Sequence, residues 1–354
     1  VTEINLGGQK VKATRHFTIV KLDPQGESIV VSAGTALDIE SSRKDCNWLP
    51  QSLYQQTIDI AGHIPYAIPA GGGYPEMISR RVLPSWEVFT RWQAKALLGL
   101  IEQNHYDAVF THIHSCDHLG HPAWRWAKTR EKYGYNDEKV YQGFIEEIYR
   151  QADEYIAQFL PLTQQGWDII VTSDHGLLCS EEDELPYLGE GFVMNVGVLK
   201  DLGYTVLKKN DQGQELREID WEKTTALAPR GNHIYLNLVG RSEHGIVKPE
   251  EQYELEEEIM TALYGYQDPQ THKRIIALAL RQKDAILLGM GGPECGDILF
   301  WTAEGYNLDH GDSLSTTEGT AFTSVSPIFI AAGQGIKVHH ETKRIIRQVD
   351  VAPT

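Results

Sequence analysis

"WDIIVTSDHG", residues 167–176, decides how this chain is read. Ile169, Ile170 and Val171 make a short, β-branched apolar run, the pattern of a buried strand. Asp174 and His175 follow just past its carboxyl end, where an open α/β sheet keeps its ligand crevice. Upstream, "YDAVFTHIH" (106–114) repeats the design and ends at "SCDHLGH" (115–121). Between the two lies a helix expected over about 138–160, with Val140, Phe144, Ile148, Ala152, Tyr155 and Phe159 on one face at steps of three or four. Strand, helix and strand with polar clusters at the carboxyl ends predict a mostly parallel central sheet flanked by helices, with the two clusters as neighbours.

Working outward, "WEVFTRWQAKALLGLIEQN" (86–104) reads as a helix, and "HIYLNL" (233–238), "DILFW" (297–301) and "SPIFIAAG" (326–333) read as further strands. The acidic "PEEQYELEEEIMTALYG" (249–265) reads as a helix with a solvated face and an apolar stripe. Residues 1 to about 70 alternate apolar and polar positions in short runs, such as "HFTIVKL" and "SIVVSAG", separated by turn signals such as "DPQGES". They predict a smaller β-rich N-terminal subdomain over 1–75, joined through "IPAGGGYPE" (68–76) to an α/β core over 76–354. The chain opens on Val1 and closes on "VDVAPT", so the core reads as a segment of a longer protein, incomplete at both ends.

Composition narrows the function classes. The 354 residues are 41 % hydrophobic and 23 % charged, an ordinary globular balance. Acidic residues outnumber basic ones 49 to 32, for a formal charge of -17, which repels polyanions and argues against a nucleic-acid coat or an anionic membrane surface as partner. Small phosphorylated substrates remain compatible, because a local cation cluster overrides the global field. Cys46, Cys116, Cys179 and Cys295 form no CxxC pair and read as free thiols, which favours a reducing, cytoplasmic compartment. No run reaches the roughly 18 apolar residues that span a bilayer, and "VTEINLGGQK" lacks the layout of a secretory signal.

The chemistry sits in three segments. In "DHLGH", Asp117 and His121 are four apart, so one helical turn or a tight loop can aim both at one ion. Carboxylate oxygen with imidazole nitrogen suits Zn²⁺ or Mn²⁺, although a helix N-cap at Asp117 is the plain alternative. In "TSDHG", Gly176 permits a tight turn that lets Asp174 and His175 both face a crevice. In "NLDHGDSLS", His310 offers a third nitrogen to the Asp117 and His121 set, since a catalytic metal commonly has three protein ligands and an open position. His112, His114 and His118 read as neighbours of a site or as surface residues rather than ligands, and His339 and His340 as exposed.

"DHLGH", then "TSDHG", then a late "DHG" ahead of "SPIFIAAGQGIK" and "VDVAPT", in that order, resembles the alkaline phosphatase superfamily, and within it the type I phosphodiesterase and nucleotide pyrophosphatase branch. "GRSEHGIVKPEEQY" (240–253) resembles a segment of bacterial members, and the likeness covers roughly residues 86–354. The resemblance implies an alkaline phosphatase-like fold and a metal-dependent phosphohydrolase with two divalent ions, Zn²⁺ ahead of Mn²⁺. Asp117, His121 and His310 match the ligands of one ion, and Asp174 and His175 match two ligands of the other. It also implies a Thr or Ser nucleophile and a further Asp on an earlier strand and helix. "SAGTALD" (32–38), with Thr35 and Asp38, does not resemble that arrangement, so the nucleophile is expected outside this chain. Two other readings are a phosphoglycerate mutase-like phosphotransferase, which uses similar Asp/His clusters, and a metal-stabilised binding module without catalysis.

Overall fold

The computed structural model describes residues 2–6, 8–39, 48–68, 74–123, 138–177, 197–229, 232–303, 323–324, 327–344, 346–347 and 351. They form a mixed α/β molecule that divides into two units, residues 1–172 with 329–354, and residues 173–328.

Unit 1 begins with antiparallel hairpins. Strands β1 (Thr2–Leu6) and β2 (Gln9–Thr14) pair from Thr2↔Ala13 to Leu6↔Gln9, and β5 (Leu37–Asp38) adds to β2. Strands β3 (Phe17–Leu22) and β4 (Ile29–Ala33) make a separate pair. Of the stretch to about residue 70 expected as β, the described strands end at Asp38, and residues 52–61 form helix α1 (Ser52–Ala61) instead, so the expected all-β character stops there. Helix α2 (Leu83–Gln103) packs against α1, and Gly99 makes the approach possible, because a Cβ there would stand 2.5 Å from Ile60 Cγ2. A third helix, α3, runs over 115–123, and α4 (Glu138–Ala157) packs on α2. Phe144, Ile148, Ala152 and Tyr155 of α4 are buried, as the spacing predicts, together with Tyr141. One cluster holds Ile78, Val82, Leu83 and Trp86 with Leu119 and Ala123 of α3 and with Tyr141, Phe144, Ile145 and Ile148 of α4. The α3 helix is therefore fastened to the core by two side chains of its own.

Strand β6 (Ile169–Thr172) forms where "WDIIVTSDHG" places it, but it pairs antiparallel with β15 (Phe329–Ala332), in the register Ile170↔Ala331. "YDAVFTHIH" does not become its parallel neighbour. Residues 108–114 join no ladder, and Phe110 is 95 % exposed. An apolar run becomes a strand only where another strand satisfies its backbone, and among the described residues this one has none. Every described ladder between strands is antiparallel, and parallel pairing occurs only in the isolated bridges Leu238↔Val247 and Val239↔Ser242.

Unit 2 carries a four-stranded sheet in the order β10 (Ala226–Leu227), β11 (His233–Leu236), β13 (Ile298–Thr302), β12 (Ile276–Arg281). The unbroken text "ILFWT" of β13 is buried at every position, as a run of apolar residues in an interior strand must be. Helix α5 (Gln252–Gly265) covers β12 and buries Ile259 and Leu263, its apolar stripe. Asp297, just before β13, accepts the Leu236 N–H at 2.7 Å and both Arg241 amino groups at 2.7 and 2.6 Å. Arg241 comes from "GRSEHGIVKPEEQY", and in the same segment Gly245 lies so close to Leu238 that a Cβ would meet its carbonyl oxygen at 2.1 Å. This stretch shapes the framework of unit 2.

Candidate metal centre

His114 ends an extended stretch, and its carbonyl accepts the His118 N–H at 2.9 Å to open helix α3. From that start, helical geometry places positions three and four apart on one face. Leu119 points the other way into the core, so Asp117 and His121 are turned toward the partly open side. Asp117 Oδ1 lies 2.8 Å from His121 Nε2, with the side chains 24 % and 19 % exposed. Asp117 Oδ2 lies 2.7 Å from His114 Nε2. The carboxylate is thus held between two imidazoles, one on either oxygen. Asp117 and His121 stand in a His/Asp group able to hold a metal ion. A compact carboxylate and imidazole pair of this kind fits a small, borderline divalent cation.

A ring ladder backs this pair. The His118 ring stacks on His114 at 5.2 Å with an interplanar angle of 3°, and meets the buried Trp86 edge-on at 5.7 Å. The His112 ring lies 5.3 Å from that of His114, tilted by 43°. Burial pushes the His118 imidazole below the ordinary histidine range, His114 adds to the effect, Asp117 opposes it and His121 adds a little more. Burial likewise pushes the Cys116 thiol up, against a hydrogen bond from Ser115 and with a further push from Asp117. Cys116 and Cys295 are both free, in keeping with the sequence reading; Cys46 and Cys179 lie outside the described residues.

Asp174 and His175 belong to unit 2 and occupy the turn that leads into β7 (Gly176–Leu177), which pairs with β14 (Thr323–Ser324). Asp174 Oδ1 accepts the His175 N–H at 3.1 Å, while the carboxyl group is 79 % exposed. The His175 ring is mostly buried, with Nδ1 3.0 Å from the Gly176 carbonyl. With Nδ1 toward that carbonyl, Nε2 is the other ring nitrogen and lies 4.0 Å from Asp174 Oδ1; a second partner on Nδ1 is common among metal-binding histidines. Ser173 Oγ donates to the His175 carbonyl at 2.7 Å and tightens the turn.

His310 lies outside the described residues. Thr35 is exposed between β4 and β5, and His339 and His340 are exposed, as expected. His114, read from the sequence as a neighbour of a site or a surface residue, contacts Asp117. Its signal was available in the spacing, since a position three before Asp117 falls on the same face once α3 begins at 115. Among the described residues, no helix is long and apolar enough to cross a membrane.

No curated protein and no solved structure matches the sequence. It does match, over residues 15–324, the family described as type I phosphodiesterase / nucleotide pyrophosphatase. That span takes in the β3–β4 hairpin of unit 1 but not the β1–β2 hairpin before it, and it includes helix α3 with Asp117 and His121, the Asp174 and His175 turn and the sheet of unit 2. The chain belongs to the type I phosphodiesterase / nucleotide pyrophosphatase family, phosphoric ester hydrolases of the alkaline phosphatase superfamily.

Proposed function

We propose that this protein hydrolyses phosphodiester or pyrophosphate bonds of small phosphorylated molecules with two divalent cations, Zn²⁺ in preference to Mn²⁺, on the alkaline phosphatase-like fold of its family. Asp117, His121 and His310 would hold one ion, and Asp174 and His175 would contribute to the other. The observation that carries the reading is the Asp117 carboxylate, fixed between His114 and His121 on a helix anchored in the core, in a chain of a phosphodiesterase family.

Bound cations in such a site stabilise negative charge on the transferred phosphoryl group and on the leaving oxygen. The residues of this chain supply the frame for that chemistry. Asp117 contributes the charge that attracts a cation, and helix α3 holds its backbone while Leu119 and Ala123 keep the helix from shifting. His121 presents Nε2 one turn later on the same face. His175 is held by the Gly176 carbonyl through Nδ1, which leaves the ring one orientation. The net charge of -17 disfavours long polyanionic substrates and leaves compact ones.

The test is hydrolysis of bis(p-nitrophenyl) phosphate by the purified full-length protein, since the Thr or Ser nucleophile is expected outside this stretch, with metal content measured in the same preparation. Activity that a chelator abolishes and Zn²⁺ restores, and that Asp117→Ala removes, is the expected result. Full activity in the chelator, or turnover of a phosphoglycerate with no diester cleavage, would overturn the proposal.

A further inference from the structure

We infer that His114 is a positioning residue for the metal centre, fixing the plane of the Asp117 carboxylate through Oδ2 so that Oδ1, on the His121 side, is presented to the cation. The inference rests on the metal reading of Asp117 and His121 given above, and adds a residue that the resemblance does not assign.

An aspartate carboxylate rotates broadly about its last torsion. A donor on one oxygen removes that freedom and leaves the other oxygen in a defined place. The His114 to Asp117 contact has the length of a charge-assisted hydrogen bond, 2.7 Å. His114 is itself constrained twice. Its carbonyl is tied into the first turn of α3 through the His118 N–H. Its ring lies parallel to that of His118, which rests edge-on against Trp86 in the core of unit 1. The order of the core is thus passed outward from Trp86 to His118, from His118 to His114, and from His114 to Asp117. The His114 side chain is 52 % exposed, so the core does not depend on it for packing. Ligand carboxylates that keep such an outer partner bind metal more tightly and with fixed geometry.

The experiment compares wild type, His114→Ala, His114→Gln and Asp117→Ala by Zn²⁺ titration of the metal-free protein and by the visible spectrum of bound Co²⁺. His114→Ala is expected to weaken Zn²⁺ binding by about 10- to 100-fold and to shift the Co²⁺ bands. Gln, whose amide N–H can stand in for Nε2–H, should restore affinity to within about threefold of wild type, because it keeps the one hydrogen bond that matters. The thermal midpoint of the metal-free protein should be nearly the same in all four. Wild-type affinity and an unchanged spectrum in His114→Ala would overturn the inference, and so would a Gln variant as weak as Ala. A fall in the metal-free midpoint that parallels the loss of affinity would mark His114 as merely structural and overturn it too. Should Asp117→Ala also bind Zn²⁺ like wild type, the metal reading of this helix fails first, which separates the two outcomes.

Discussion

Asp297 in unit 2 and Asp117 in unit 1 are both carboxylates with more than one partner, yet they stand in opposite conditions. Asp297 is buried, and its oxygens take two Arg241 N–H groups and the Leu236 N–H. Glu256 nearby is buried with Arg281, Gln252 and the edge of α5 in the same way. Such groups have their hydrogen-bonding capacity spent inside the protein and hold the framework together. Asp117 is only partly covered and faces imidazoles, groups that exchange protons and bind metals. The difference teaches that a carboxylate paired with guanidinium and backbone is committed to structure, whereas one paired with histidines stays partly open and able to hold a metal ion.

Substitutions should therefore separate by what they disturb. The largest loss of stability is expected in unit 2. Asp297→Ala should lower unfolding free energy by about 3 kcal/mol, since it leaves the Leu236 N–H and a guanidinium without their acceptor. Leu299→Ala, in a fully buried strand position against Ala285 and Trp301, should cost about 2–5 kcal/mol by opening a cavity. Urea titration of each variant measures both, and neither should alter Zn²⁺ affinity in the protein that remains folded. Equal losses of affinity would break the comparison.

Alkaline pH offers a milder probe of the same unit. Burial first, and then hydrogen bonds to Glu258 and Asp201, push the Tyr204 and Tyr266 phenols up to about 12 from an ordinary 10.0. Their folded-state values are raised, so their contribution is complete below pH 10 and is lost as pH climbs from 10 toward 12, the unfolded chain releasing these protons first. The double variant Tyr204→Phe, Tyr266→Phe should flatten the decline in stability across that window, as read by denaturation at a series of pH values.

Smaller effects on stability belong to the candidate metal centre. Asp117→Ala should change the unfolding free energy of the metal-free protein by less than about 1 kcal/mol, while Zn²⁺ affinity falls by at least about 100-fold. A metal-free variant that unfolds several kcal/mol more easily would place Asp117 with Asp297 as framework. At the bottom of the scale, Lys208→Ala removes an exposed pair with Glu218 and should stay within about 0.5 kcal/mol of wild type in the same titration.

The readable part of the molecule was its local part. The stripe Phe144, Ile148, Ala152, Tyr155 lies on one helical face because 3.6 residues per turn bring those positions together, and all four are buried. The spacing of Asp117 and His121 decided that the two side chains meet, once helix was formed there, for the same reason. The order of short motifs was enough to identify the family, over a longer span than the motifs themselves cover.

Strand direction was not decided by the sequence. The runs around 106–114 and 169–172 look alike as text, but only the second found a partner, and it lies more than 150 residues away in β15 with antiparallel sense. Which run becomes a strand depends on which distant backbone can satisfy it, and apolar spacing carries no information about that. Arg241 and Asp297, 56 residues apart, were equally invisible as a pair. The contact of His114 with Asp117 was legible only as a spacing of three, and it forms because α3 starts at residue 115. Periodicity determined the faces of helices, and short motifs in order named the candidate ligands; only the tertiary structure decided what each face would touch, because those contacts join residues that no local rule connects.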